Sequence, residues 1–402
     1  MAIKTIETTK KIIKERAIQN FFRTVSYSRK NVVDDLLTDR PYEFSPSWEK
    51  KFFEAMKWSF RHHYRNCEFY RKVCIKNNFD EKRLGGFGDI WDIPHVLSDV
   101  FKMYDIQTRT GDMLRAEMSS SGTSGRRSKI MLNMLSGNRL LYSIYYIYKA
   151  LGLVNATPAN YILMAYNPSI DENIATTNSD IIMTYLTPRR EIFYALDSKR
   201  EGRVEFLKDE AVDRLRRYMD EGLPVRMLGF IHHMCEVLKS YKERYGRAAF
   251  PRESCVISGG GWKNFSNPCG DKFSMVDFFK EYTTLDPRNI RDLYTLNEHA
   301  VFYLECEEHN KHIPNVALAC ARDPRTMARL DYGQTGLIHL YSPLIESCPV
   351  LSLLTTDYGY IGKSCGCSLG GPYIKIIGRA GVTKKVTCAF TADQYVKETV
   401  KR

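Results

Sequence analysis

The run Ser119-Ser120-Ser121-Gly122-Thr123-Ser124-Gly125-Arg126-Arg127 has the residue types of a phosphate cradle. Glycines let backbone amides turn toward an anion, hydroxyls add donors, and a following helix start favours negative charge. A flexible Ser/Gly linker is the competing reading, but the arginines and the helical pattern from Met131 to Leu151 favour a triphosphate. The run lacks the Gly-Lys-Ser/Thr ending of a P-loop, which argues against that fold. A second chemistry is offered by Cys306-Glu307-Glu308-His309-Asn310-Lys311-His312 together with Cys365-Gly366-Cys367. Thiolates and an imidazole in a Cys-x5-His plus Cys-x-Cys set can complete one tetrahedral zinc site, structural because no position stays open to water. A third is Cys388, just after Lys384 and Lys385. Nearby ammonium groups favour the thiolate, the strong nucleophile, whereas an ordinary half-buried cysteine is the plainer alternative.

The elements that must position these groups follow from periodicity. Ile6, Ile13, Ala17, Phe21 and Val25 recur at helical spacing with a basic opposite face, and a helical, aromatic-rich stretch runs from Ser47 to Asn77. Gly and Pro punctuation from Leu84 to Pro94 reads as a linker. Beyond it, short β-branched runs at Tyr161 to Ala165, Val225 to Leu228, Cys255 to Ser258, Ala300 to Leu304, Thr335 to Leu340 and Tyr373 to Ile377 alternate with helical patterns. Such alternation predicts an α/β fold with central sheets flanked by helices. Three parts are expected: a mainly helical region at 1–95, a core domain at 96–377, and a hinge with a short tail at 378–402. Adjacent His232 and His233 point to different sides, so at most one faces a pocket and packing is the plainer role. Tyr142, Tyr145, Tyr146 and Tyr148 read as a core helix or as the lining of an acyl pocket.

Composition narrows the class. The 402 residues are 44% hydrophobic, enough for a sizeable core. Net charge is +12, but 59 basic residues interleave with 47 acidic ones and no nucleic-acid-binding motif accompanies them, so a nucleic-acid partner is not expected. Lysines interrupt the first apolar run, and no stretch reaches the roughly 18 apolar residues of a membrane span. Eleven irregularly spaced cysteines without an export signal fit reduced thiols, and a cytoplasmic location is expected.

Three further segments, in order, make the chain resemble the adenylate-forming superfamily. Ser258-Gly259-Gly260-Gly261-Trp262-Lys263 resembles its adenine-contacting glycine turn. Tyr294-Thr295-Leu296-Asn297-Glu298 resembles its aromatic-Gly-x-Thr-Glu motif, with Thr295 and Asn297 departing from the pattern. Thr355-Thr356-Asp357-Tyr358-Gly359-Tyr360 resembles its Thr-Gly-Asp-x-Gly motif. The resemblance implies that Ser120, Ser121, Gly122, Thr123, Ser124 and Gly125 grip the phosphates of ATP, that Gly259, Gly260, Gly261 and Tyr294 meet adenine, that Glu298 binds magnesium, and that Asp357 holds the ribose hydroxyls. Gly378-Arg379 resembles the superfamily's hinge to a mobile C-terminal domain, and the 23 residues after Arg379 are too few for that domain.

The short tail and Cys388 are similar to those of the acyl-protein synthetases of bacterial luminescence, the LuxE family. This resemblance implies that a fatty acid is activated as its acyl-adenylate, with Arg379 on the ribose or phosphate side, and passes to Cys388 as a thioester. An acyl reductase or acyl-carrier protein is the implied partner. Similarity to the phenylacetate-CoA ligase branch selects Cys306, His312, Cys365 and Cys367 as zinc ligands. Two rival expectations are a ligase of that branch delivering to CoA or a carrier protein, and a non-catalytic nucleotide-binding scaffold.

Overall fold

In the computed structural model, residues 29–111, 114–119, 128–168, 180–200, 203–259 and 275–379 are described. The expected helix between Ile6 and Val25, the loop residues Ser120, Ser121, Gly122, Thr123, Ser124 and Gly125, the glycines Gly260 and Gly261, and Cys388 lie outside them.

Helices α1 (Pro46–Asn66) and α2 (Glu68–Lys76) account for the helical, aromatic-rich stretch from Ser47 to Asn77. The Ser45 side chain caps α1 by accepting from the amide of Trp48, and Pro46 occupies the first turn, where no amide donor is needed. Phe52, Ala55, Met56 and Phe60 bury one face of α1 in the same core as Val316, Ile338 and Leu353. The punctuated segment at 84–94 folds as a 3-10 turn, Phe87–Asp92, with Ile90 buried, and Ile93 beyond it is buried too. This linker is packed against the core.

Strand β1 (Val96–Leu97) and the short helix α3 (Val100–Met103) lead to a hairpin of β2 (Leu114–Ser119) and β3 (Lys129–Asn133). Helix α4 (Met134–Ala150) follows at once. The helical pattern expected from Met131 thus begins three residues late. Ile130 and Leu132 are buried on alternate positions, the two-residue period of a strand. Asn133 ends the strand and caps the helix, accepting from the amide of Ser136 at 3.1 Å.

The next units are β4 (Ala159–Tyr166), β5 (Arg189–Arg200), β6 (Arg203–Phe206), α5 (Lys208–Glu221), β7 (Val225–Phe230), α6 (Ile231–Tyr245), β8 (Cys255–Gly259), α7 (Met275–Tyr282), β9 (Ile290–Tyr294) and β10 (Tyr303–Leu304). They form a seven-stranded sheet in the order β10-β9-β8-β7-β4-β5-β6. Its five central strands run parallel, so their carboxyl ends lie on one edge, where open α/β sheets bind ligands. Only Tyr303 and Leu304 of the predicted run Ala300 to Leu304 pair, because Ala300 takes a left-handed conformation with φ 56°.

A second sheet joins β11 (Lys311–His312), β12 (Leu318–Arg322), β13 (Gly336–Tyr341), β14 (Ser352–Gly362) and β15 (Tyr373–Arg379) in the order β11-β15-β14-β13-β12, with β1 also on β14. Gly359 sits at the irregularity in the β14–β15 register, and a Cβ there would lie 2.0 Å from the carbonyl oxygen of Lys375. That position demands glycine. Fully buried Arg139 of α4 ties the layers together through ion pairs to Asp34 at 2.7 Å and Glu346 at 3.3 Å. Sheets flanked by helices are the α/β architecture that the sequence predicts.

Candidate active site

The site is built where the two sheets meet. Tyr294 ends β9, and its hydroxyl donates to Asp357 Oδ2 of β14 at 2.9 Å. Register pairs Asp357 with Arg379 of β15, whose Nε donates to Asp357 Oδ1 at 3.0 Å. The backbone amide of Asp357 is satisfied by Thr355 Oγ1 at 3.1 Å. Each carboxylate oxygen thus accepts one donor and retains capacity for another, as binding of vicinal hydroxyls requires. Burial pushes the Tyr294 phenol well above its ordinary pKa, and the Asp357 charge adds to this, so Tyr294 remains a neutral donor.

Gly259 closes β8 beside Phe230, the last residue of β7, at the same carboxyl edge. Buried Ser258 precedes it and donates from Oγ to Asp292 Oδ1 at 2.6 Å. Glu298 lies on the segment after β9, 5% exposed. Burial holds its carboxyl above the usual carboxylate range, against the opposing Ser128 hydroxyl. Asn297 also reaches this point, its Nδ2 donating to the Ser128 carbonyl oxygen at 3.3 Å. Ser128 directly follows the hydroxyl-rich run, so the chain leaves that loop against Asn297 and Glu298. Ser128 carried no motif of its own, and Asn297 stood out only as a departure. His232 and His233 are buried in the first turn of α6, with rings 3.7 Å apart and His233 tilted over Phe206 at 4.1 Å.

A second constellation gathers Cys306, His312, Cys365 and Cys367, whose potential ligand atoms all lie within 4.8 Å of one another. Antiparallel pairing of His312 with Tyr373 brings the hairpin of β11 onto the loop that precedes β15. Cys306 Sγ and Cys365 Sγ are 3.7 Å apart, close to the roughly 3.8 Å edge of a tetrahedron with zinc–sulfur bonds of about 2.3 Å. His312 Nε2 is 3.2 Å from Cys367 Sγ, while Nδ1 is 3.2 Å from the Gly370 carbonyl oxygen. A carbonyl only accepts, so Nδ1 carries the proton and the Nε2 lone pair faces the thiols. Burial raises the Cys365 thiol, but the Cys367 amide and the Asn310 side chain outweigh it and bring the pKa below the ordinary value. His309 turns elsewhere, with Nδ1 3.7 Å from Glu305. The donor set fits a tetrahedral zinc ion.

Asp292 belongs to none of the sequence motifs, and Lys311 lies inside the Cys306–His312 run without being one of its candidate ligands. Burial opposes the Lys311 charge, yet the carboxylates of Asp292 and Glu305 outweigh it and raise its pKa. Among the described residues, no helix is long and apolar enough to cross a membrane.

The fold has solved counterparts. A crystal structure of 2-hydroxyisobutyryl-CoA ligase in the postadenylation state with 2-HIB-AMP aligns with a TM-score of 0.64 at 14% identity, covering 85% of this chain and 70% of that one. An open conformation of the same ligase with 2-HIB-AMP and CoA aligns equally well, with a TM-score of 0.64, over 85% and 71%. The fold is therefore that of the adenylate-forming ligases. In sequence, the chain is 26% identical over 380 residues to the long-chain-fatty-acid–luciferin-component ligase of Vibrio harveyi, covering 90% of this chain and 93% of the relative. It is 24% identical over 388 residues to the enzyme of the same name from Aliivibrio fischeri, over 92% and 95%. The family profile described as acyl-protein synthetase, LuxE, matches residues 24–396, so the chain is a ligase that belongs to the LuxE family of acyl-protein synthetases.

Proposed function

We propose that the protein activates a long-chain fatty acid with ATP as its acyl-adenylate and transfers the acyl group to the thiol of its own Cys388. The Tyr294–Asp357–Arg379 constellation carries this reading, because it sets a carboxylate with free acceptor capacity between the two sheets, beside the carboxyl edge of the parallel strands. In this reading Tyr294 and Gly259 to Gly261 receive adenine, Asp357 accepts from the ribose hydroxyls, and Arg379 lies along the ribose or phosphate side. Ser120 to Gly125 donate to the β and γ phosphates from a loop anchored at Ser128.

Glu298 would hold the magnesium ion that accompanies the triphosphate, which supplies neutralisation of phosphate charge. The fatty carboxylate oxygen attacks the α-phosphorus, forming the mixed anhydride and expelling pyrophosphate. The Cys388 thiolate then attacks the acyl carbon, the carbon–oxygen bond to phosphate breaks, and AMP leaves with the electron pair. Catalysis is mainly positioning and electrostatics. An acyl reductase or acyl-carrier partner would take up the thioester. The location expected for such a soluble acyl relay is the cytoplasm.

The direct test is pyrophosphate exchange into ATP, with purified protein and a series of fatty acids. Exchange that depends on a long-chain acid supports the reading, whereas no exchange with any carboxylic acid would favour a nucleotide-binding scaffold. Exchange followed by acyl transfer only to added CoA would move the chain to the phenylacetate-CoA ligase type of chemistry.

The cluster of Cys306, His312, Cys365 and Cys367 is proposed to hold a structural zinc ion that clamps the β11 hairpin to the loop before β15. About one zinc per chain is expected by elemental analysis. Cys367→Ser is expected to reduce that content and to lower the thermal midpoint by about 5 °C, since binding energy at such a site is folding energy. A zinc-free wild type with an unchanged midpoint after chelation would reject the assignment.

A further inference from the structure

A chain of polar contacts runs from the Cys/His cluster to the ends of β8 and β9. Lys311, one residue before His312, has an 11% exposed side chain, and its Nζ lies 2.8 Å from Asp292 Oδ2 and 2.7 Å from Glu305 Oε1. Glu305 directly precedes Cys306, and its other oxygen accepts from the amide of Asp292 at 2.8 Å. Arg291 Nη1 donates to the Glu305 carbonyl oxygen at 2.8 Å. From Asp292 the contacts continue to Ser258 Oγ at 2.6 Å, next to Gly259. Asp292 and Tyr294 stand two residues apart on β9 and share one face of the strand. Lys311 therefore joins the hairpin that carries two cluster residues to β9 and, through Asp292, to the end of β8.

Stability alone does not explain this arrangement. Replacing a buried ion pair by packed apolar side chains is often neutral or stabilising, and the best-attested use of such pairs is to fix one register among several. A single ammonium shared by Asp292 and Glu305 constrains β9 relative to the β11 hairpin in a way that an apolar contact does not, because hydrogen bonds fix direction as well as distance.

We propose that Lys311 is a positioning residue for ATP, tying the cluster hairpin to Asp292 so that Ser258, Gly259 and Tyr294 are held where the adenosine binds. The inference rests on the reading of Gly259 and Tyr294 as adenine contacts. Lys311 touches neither nucleotide nor acyl group, so its removal weakens ATP binding while the chemical step proceeds normally once ATP is bound.

The test compares wild type, Lys311→Met and Lys311→Arg by pyrophosphate exchange and by calorimetric titration of ATP. Lys311→Met is expected to raise the KM and Kd for ATP about tenfold, with kcat within about twofold of wild type. Lys311→Arg, which keeps the charge, is expected to recover most of that affinity. Hydrogen exchange at residues 255–259 and 290–294 is expected to speed up in the methionine variant only. Unchanged ATP affinity in Lys311→Met, with wild-type exchange intact, overturns the positioning role alone. A fall in kcat matching a loss of folded protein, not rescued by arginine, also overturns it, because the residue would then only hold the fold. Absence of both exchange and ATP binding in the wild type overturns this inference together with the adenylation reading.

Discussion

The wild-type protein is expected to acquire a hydroxylamine-labile acyl label from labelled fatty acid, ATP and magnesium, and replacing Cys388 with serine is expected to abolish it. Pyrophosphate exchange should remain within about twofold of wild type. The two outcomes separate because the two steps use different groups. In the proposed mechanism adenylation uses the phosphate loop, Glu298, Tyr294 and Asp357, none of which is the acceptor. Transfer needs a nucleophile, and a hydroxyl of ordinary pKa supplies almost no anion at neutral pH where a thiol beside lysines supplies a useful fraction. A serine variant that is still labelled in hydroxylamine-labile form would place the acceptor on another cysteine. Among the described residues, Cys67, Cys74, Cys235, Cys255, Cys306, Cys320 and Cys348 are buried, and Cys365 and Cys367 belong to the cluster with His312. Burial raises the pKa of Cys74, Cys320 and Cys348, which makes them poor nucleophiles.

Much of the architecture was legible because strands and helices announce themselves by period. The runs at Tyr161, Val225, Cys255 and Tyr373 became β4, β7, β8 and β15 because they are apolar runs bounded by turns. The helix start is displaced from Met131 because two periods overlap there: residues 129–133 alternate while residues from 134 onward repeat at helical spacing. The Cys/His cluster was legible in residue type, but its assembly depends on antiparallel pairing of His312 with Tyr373, a long-range contact that local spacing does not encode. Lys311 gives no such signal in the sequence, for a different reason. A lysine in a Glu-rich stretch reads as surface, and only the convergence of Asp292 and Glu305 on it makes a nearly buried ammonium tolerable. Likewise Asn297, a departure from the family pattern, acquires a role in the fold by holding the Ser128 carbonyl at the exit of the hydroxyl-rich loop.

Glu298→Gln is expected to lower fatty-acid-dependent pyrophosphate exchange by at least about a hundredfold, since neutralising developing phosphate charge is worth several kcal/mol in a site of this kind. The same substitution is expected to leave the thermal midpoint at pH 7 unchanged or slightly higher. The sign follows from the carboxyl's environment. Burial, only partly offset by the Ser128 hydroxyl, raises the folded-state pKa of Glu298 above its ordinary value. Its favourable contribution to folding is therefore complete below the unfolded pKa and is lost as pH rises through the folded one. Above the unfolded pKa the burial of this carboxyl costs the fold, and glutamine removes that cost while keeping an acceptor near Ser128. A structural glutamate would behave in the opposite way, losing stability and activity together, so the midpoint measured beside the exchange rate separates the two roles. Near-wild-type exchange in the glutamine variant would remove Glu298 from the adenylation site, and would leave the Ser128 contact as its reason for being buried there.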